Sequence, residues 1–238
     1  MTRSREPKLP SYIKVKKSAR ARRMALRLDA KERVFHLVLP RGMSVRSATA
    51  FIEEHERWMK EKLRELPRPV SFNHGESIPI FGRHRTIRVI KRKTLKTTDV
   101  ILKQNEILVV TNLDDPTQKV KRALAKWAKL RLTELAGEKA AEIGEKIKEI
   151  HVRDTKSRWG SCADDGGLSF SWRLIFAPEV ALDYVVAHEV AHLRHMNHGR
   201  HFWNLCRAIS DDFLEGQYWM QNFGQDLMRY GYTDAVED

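Results

Sequence analysis

Apolar and polar residues alternate along residues 12–39. Ile13 and Val15 alternate with Lys14 and Lys16, Leu26 and Leu28 with Ala25 and Arg27, and Phe35, Leu37 and Leu39 with His36 and Val38. A period of two marks strands half-buried in a sheet. Lys31-Glu32-Arg33 is placed to connect a hairpin, and Pro40-Arg41-Gly42 ends the stretch. The period then lengthens. Val45, Ala48, Ile52, His55, Met59, Leu63 and Leu66 recur every three or four residues, which predicts an amphipathic helix. Ser44 is placed to cap it, and Pro67 to end it. Trp58 neighbours the stripe and is expected in the core. Residues 70–112 return to short strands around Ile78 and Ile80, Ile87 and Val89, and Ile107 and Val109, punctuated by Gly75, Gly82 and Asn105.

Asn112-Leu113-Asp114-Asp115-Pro116 reads as a boundary. Asp115 as N-cap, Pro116 as first helical residue and Gln118 two positions on predict a helix start. The helix runs through Val120, Leu124, Trp127, Arg131 and Leu135, with a weak point at Gly137, towards Lys148. Residues 150–153 are short and β-like. Asp164-Asp165-Gly166-Gly167 signals a turn, and Leu168, Phe170 and Trp172 alternate with Ser169 and Ser171, so a hairpin is expected there. Pro178 opens the next helix, whose Leu182, Val185, Val186, Val190 and Leu193 leave it apolar on most sides, as in a helix buried within a domain. The pattern predicts an α+β chain. A β-rich part with one helix covers residues 1–112, and a second, more helical domain covers residues 113–238. No internal repeat is visible.

Charge separates the two parts. Residues 1–100 hold 26 Lys/Arg against 10 Asp/Glu, whereas residues 101–238 hold 18 against 21. The surplus belongs to the first part, where it suits nucleic acid, nucleotides or an acidic protein, or simply forms a solvated face. The 42% hydrophobic content is enough for a core. No apolar run approaches the roughly 20 residues that span a bilayer. The first residues lack the apolar stretch of a secretory signal. Cys162 and Cys206 make no disulfide framework. A cytoplasmic protein without a membrane partner is the expectation.

Within the apolar helix stands His188-Glu189-Val190-Ala191-His192, an HExxH pattern. Residues four apart share a helical face, so both imidazoles can reach one metal ion, and Glu189 can address a water there without ligating the ion. A catalytic zinc site needs a third protein ligand. His195 is two turns beyond His188, a rise of roughly 10 Å on a regular helix, so a surface or supporting role suits it better. His198 serves if the helix ends and the chain turns back, for which Asn197, tolerant of the left-handed conformation, and Gly199 are suited. Glu215, with Asp211 and Asp212 near it, is an acidic alternative from a later helix. We favour His198. A structural zinc would need four ligands, commonly cysteines, and neither cysteine here belongs to a CxxC pair.

Several stretches together carry a resemblance. Ser157-Arg158-Trp159-Gly160-Ser161-Cys162, the run from Trp172 to Pro178, the run from Leu182 to Leu193, Asn197-His198 and Phe202-Trp203 resemble the YgjP-like metallopeptidases, relatives of the SprT-like and WLM zinc proteases. The likeness is strong over residues 150–210 and looser before them. It implies a minimal zincin-like domain, with the HExxH helix under a small antiparallel sheet and other helices around it. It also implies one zinc ion on His188, His192 and His198, and Glu189 as the catalytic acid/base. Metzincins share the His192-to-His198 spacing but carry glycine where His195 stands.

The expected activity is that of a zinc-dependent metalloendopeptidase acting on polypeptide, in which Glu189 accepts a proton from the attacking water and passes it to the leaving amine. The segment 150–153 is a candidate edge strand for an extended substrate, with Arg153, Arg158 and Trp159 lining the cleft. Alternatives are a zinc-dependent hydrolase of nucleotide phosphoanhydrides, with phosphates held by the cations of residues 83–96, and a nucleic-acid-associated protease of SprT-like type. A non-enzymatic scaffold, indifferent to Glu189, is the third.

Overall fold

A computed structural model describes residues 9–30, 32–155 and 158–231. Residues 1–8, 31, 156–157 and 232–238 lie outside it, so the expected basic tail, part of the hairpin connection and Ser157 of the family-like stretch are not described. The chain divides into two compact units, Met1–Arg68 and Pro69–Asp238.

In the first unit, strands β1 (Ile13–Ser18), β2 (Ala25–Asp29) and β3 (Val34–Pro40) form a sheet in the order β1-β3-β2. β2 and β3 are an antiparallel hairpin, while β1 lies parallel to β3 on its other side. A 3-10 turn, Arg46–Ala48, leads into α1 (Thr49–Glu65). The Ser44 hydroxyl accepts from the Ser47 amide at 3.2 Å before this turn, but the cap of α1 itself falls at Ala48, which has no capping side chain, rather than at Ser44. Ile13, Phe35, Leu37 and Leu39 from the sheet and Ile52 and Met59 from the helix form one buried cluster. Trp58 is not fully in the core. It leans on Phe35 at 5.2 Å between ring centroids and stays 41% exposed. Arg33, at a positive φ of 51°, donates from its guanidinium to the Leu63 and Pro67 carbonyls at 3.0 and 2.9 Å. It thereby satisfies acceptors that the end of α1 would otherwise leave unpaired.

The second unit opens with β4 (Ser77–Ile80), β5 (Arg83–Lys91), β6 (Asp99–Leu102) and β7 (Glu106–Thr111), in the order β4-β5-β7-β6. The sequence pattern groups these strands with the basic part before residue 113. Their buried Ile78, Ile80, Ile87, Ile107 and Val109 instead belong to the cluster that holds the helices after it. Alternation records that one face of a strand is buried, and it is silent on what buries it.

α2 (Thr117–Glu142) follows. Asp115 Oδ1 accepts from the Thr117 amide at 2.9 Å, one position off the predicted register, and Gly137 lies inside an unbroken helix. α2 ends at Glu142, short of Lys148, and Gly144 at φ 70° follows its C-cap. β8 (Glu149–Arg153), β9 (Gly160–Cys162) and β10 (Gly167–Ser171) make a third sheet in the order β8-β10-β9. The expected β9–β10 hairpin forms around Gly166 at φ 83°. The sheet is mixed rather than wholly antiparallel, because β8 pairs with β10 in parallel. β8 and β9 therefore lie at opposite edges, with β10 between them. After a 3-10 turn, Trp172–Phe176, come α3 (Glu179–Ala191), α4 (Arg200–Ala208) and α5 (Phe213–Phe223). Among the described residues no helix is long and apolar enough to cross a membrane.

Candidate metal centre

α3 is held from all sides. Ala181, Leu182, Val185, Val186, Ala187, Val190 and Ala191 are all buried. Pro178 precedes its first turn and accepts from the Ala181 and Leu182 amides at 3.0 and 3.1 Å. Packing on every side fixes the rotation of the helix, and with it the direction of His188 and Glu189.

The helix stops at Ala191, and His192 is its C-cap. The Leu193 and Arg194 amides reach back three residues, to Val190 and Ala191 at 3.0 and 3.2 Å, tightening the last turn. The chain then reverses and delivers His198 before Gly199 starts α4. The left-handed turn expected at Asn197 is absent. Among the described residues only Arg33, Phe81 and six glycines have positive φ, and Gly199 is at −82°. The 3-10-type closure makes the reversal without it.

His188, His192 and His198 converge, one ring nitrogen of each lying within 4.8 Å of the others. The Nε2 atoms of His188 and His198 are 3.1 Å apart. His195 contributes through its backbone. Its carbonyl lies 3.1 Å from His192 Nδ1, accepts the proton there and leaves Nε2 free to bind. His188 Nδ1 is buried without a partner among the described residues, and its ring is positioned by aromatic packing instead. Phe202, fully buried on α4, lies under all three imidazoles at centroid distances of 4.9, 4.5 and 4.7 Å to His188, His192 and His198. Trp203 stacks on His198 at 5.5 Å. Sequence reading singled out Phe202-Trp203 only as part of a motif. Their i+4 and i+5 spacing from His198, on the next helix, is the signal that connects them to it.

The acidic alternatives lie elsewhere. Asp212 Oδ1 caps α5 by accepting from the Glu215 amide at 3.0 Å, and the Asp211 amide donates to Asp183 at 2.9 Å. Burial pushes the Cys162 and Cys206 thiols up to about 11 and about 12, so both stay protonated, unlike a metal thiolate. His188, by contrast, is lowered to about 4 by burial, with His192 and His198 adding repulsion, so it is held neutral, the form that binds metal. Three converging imidazoles, each offering one ring nitrogen, are a donor set that fits a divalent ion such as zinc.

Glu189 is buried beside them, and burial pushes its carboxyl up to about 7, with Arg158 pulling the other way. β9 lies directly against it. A Cβ built on Gly160 would fall 2.4 Å from Glu189 Cγ and 2.5 Å from Oε1, so only glycine admits this approach. Arg158, Trp159, Gly160, Tyr184, His188 and Glu189, with Met220 of α5, line a cleft of about 260 Å³. β8, the candidate substrate strand in the sequence, is also an edge but packs beside α2. The edge at Glu189 is β9.

A buried ion pair braces α3 from behind. Lys139 of α2 contacts Asp183, one and a half turns before His188, and both are almost fully buried. Lys139 also donates to the Ile209 carbonyl at 2.5 Å, while Asp183 accepts from Ser210 Oγ at 2.8 Å and the Asp211 amide at 2.9 Å. α2, α3 and the end of α4 are thus joined at one point.

Among the cations of residues 83–96, assigned to phosphates in the nucleotide reading, Arg85, Arg88 and Lys91 have partners within the protein. Arg85 donates to the Ile80 and Lys103 carbonyls at 2.8 and 3.0 Å, and Lys91 pairs with Asp114 at 2.5 Å. None of them lines the cleft at Glu189.

A family model described as YgjP-like, metallopeptidase domain, matches residues 22–223. No curated protein and no solved structure matches the chain.

Proposed function

The chain belongs to the YgjP-like metallopeptidase family, and from that premise we propose that it is a zinc-dependent endopeptidase in which His188, His192 and His198 hold one zinc ion and Glu189 is the general base and acid. The observation that carries this reading is the convergence of three imidazoles beside a buried carboxylate at an open cleft.

Zinc held by three imidazoles supplies Lewis acidity to the scissile carbonyl and makes water acidic enough to attack near neutral pH. The protein supplies the rest. Phe202 and the His195 carbonyl keep the three rings in register. Glu189 Oε atoms take the proton of the attacking water and return it to the leaving amine nitrogen. A carboxyl raised by burial toward neutrality suits both halves of that exchange. Arg158 lines the same cleft and opposes the rise of the Glu189 carboxyl.

Substrate orientation falls to β9. The Ala163 amide donates to the Gly167 carbonyl and the Ser171 amide to the Trp159 carbonyl. In an antiparallel ladder the intervening residues 160 and 162 then point their backbone groups away from β10, toward the free edge. An extended peptide pairing there lies along the cleft, with its carbonyls passing Glu189.

The test compares wild type with Glu189→Gln at equal zinc content, offered an unfolded polypeptide and, separately, nucleoside triphosphates. Polypeptide cleavage by the wild type, lost in the variant, is the expected result. Triphosphate hydrolysis without polypeptide cleavage would move the assignment to the nucleotide reading.

A further inference from the structure

The first unit carries a concentration of positive charge that the metal centre does not use. Residues 12–41 hold ten Lys/Arg against two acids, Asp29 and Glu32. The registers of the first sheet set Lys14, His36 and Arg27 in one row across β1, β3 and β2, and Lys16, Val38 and Ala25 in the second row along. Alternation turns this face away from the core side of Phe35, Leu37 and Leu39. The loop after β1 folds back, its Ala21 amide donating to Ser18 Oγ at 3.3 Å, and brings Arg20 to the same face. Lys16, Ser18, Arg20, Arg27 and His36 line a hollow of about 350 Å³ there.

No carboxylate lines this hollow. Of the two acids, Glu32 takes Lys14 at 2.8 Å, and Asp29 lies 3.4 Å from Nε2 of His36, the one lining residue it meets. Lys16, Arg20 and Arg27 are exposed and form no ion pair among the described residues. Three cations held around one concavity repel one another, and an anion brought from outside relieves that repulsion.

We propose that this hollow is a docking site for the phosphate backbone of double-stranded nucleic acid. Lys16 on β1 and Arg27 on β2 flank β3, two strand spacings of about 4.8 Å apart across the sheet, so their long side chains reach separate phosphates of one backbone. The hollow offers three cations and a hydroxyl but no Asn or Gln, and its one aromatic ring, His36, is turned to Asp29 at 3.4 Å, so the groups left for a ligand are those that hold backbone phosphates. The face also lacks the large apolar anchors of a membrane-binding surface, since Val15 belongs to the opposite side of β1. The proposal stands apart from the peptidase reading, and its test involves no cleavage.

The test uses the full chain and a fluorescein-labelled duplex of about 20 base pairs, followed by anisotropy as salt rises from about 50 to about 200 mM. Three phosphate contacts give a slope of log affinity against log salt of about −2.7. K16E/R27E is expected to weaken binding and bring the slope to about −0.9. Arg20→Glu, in a loop and without effect on strand pairing, is expected to remove about one unit of slope. K16Q/R27Q, with an unchanged circular dichroism spectrum, covers the case in which charge reversal unfolds the sheet, and is expected to match K16E/R27E in direction. The proposal is overturned if the wild type does not bind duplex at the lowest salt or if the variants keep its slope. It is equally overturned if inorganic tripolyphosphate displaces the duplex at concentrations near that of the protein, or if phosphatidylserine vesicles bind in preference to duplex.

Discussion

Gly160 and Glu189 touch with no room between them: a Cβ on Gly160 would come within 2.4 Å of the Glu189 side chain. Glu189 is buried on a helix that cannot rotate, so the carboxylate itself would have to give way. Gly160→Ala is therefore expected to lower peptidase activity by about 10²-fold or more, the scale of an ångström's misplacement of a reacting group. Zinc content should stay at the wild-type level. Measuring both together separates displacement of Glu189 from loss of the metal, and unchanged turnover would show that the approach of β9 is irrelevant to the reaction.

Phe202 supports three imidazoles at once, and no single histidine has that leverage. Phe202→Leu keeps an apolar side chain but removes the flat surface. Zinc affinity is expected to fall by about 10–100-fold, as for other residues that orient ligands without binding the ion. Competition with a chromophoric chelator reads this directly, and wild-type affinity in the variant would make Phe202 simple core packing.

The two edges of the β8-β10-β9 sheet offer a paired comparison. Cys162→Pro removes an amide pointing to the free edge of β9, whereas Val152→Pro alters β8 at the far edge. KM for an extended peptide is expected to rise in the first and to change little in the second, with zinc retained in both. The opposite ranking would return the substrate to residues 150–153.

Lys139→Met strands Asp183 as a buried charge with no cation. A loss of about 3–5 kcal/mol in unfolding free energy is expected, read from urea midpoints. Adding Asp183→Asn should recover part of that loss, because the uncompensated charge is gone while Ser210 and Asp211 keep an acceptor. If the double variant is no more stable than Lys139→Met, the cost is one of packing.

Much of this was legible in the residues, for reasons that also mark where legibility stops. α1, α2 and α3 follow from spacing, since a helix is built from contacts three and four residues apart. The β9–β10 hairpin follows from its glycine turn. The pairings of β1 with β3, β5 with β7 and β8 with β10 are parallel and join residues distant in sequence, and nothing in a local pattern encodes them. The convergence of His198 with His188 and His192 was anticipated by its distance from them, but through a left-handed turn that the chain does not make. Lys139 was the subtler omission. It falls on the stripe of Leu132, Leu135 and Ala136, and a lysine on a buried stripe asks for an acid, which Asp183 on the apolar α3 supplies.

The boundary at Arg68 and Pro69 changes where the field of this molecule originates. Residues 1–68 hold 19 Lys/Arg against 8 Asp/Glu, while residues 69–238 hold 25 against 23. The metallopeptidase unit is thus close to electrically balanced. Long-range attraction of a polyanion, with its steep dependence on ionic strength, is a property of the small unit. Peptide capture at β9 rests on short-range backbone pairing. Raising the salt should therefore silence one kind of encounter and leave the other nearly untouched.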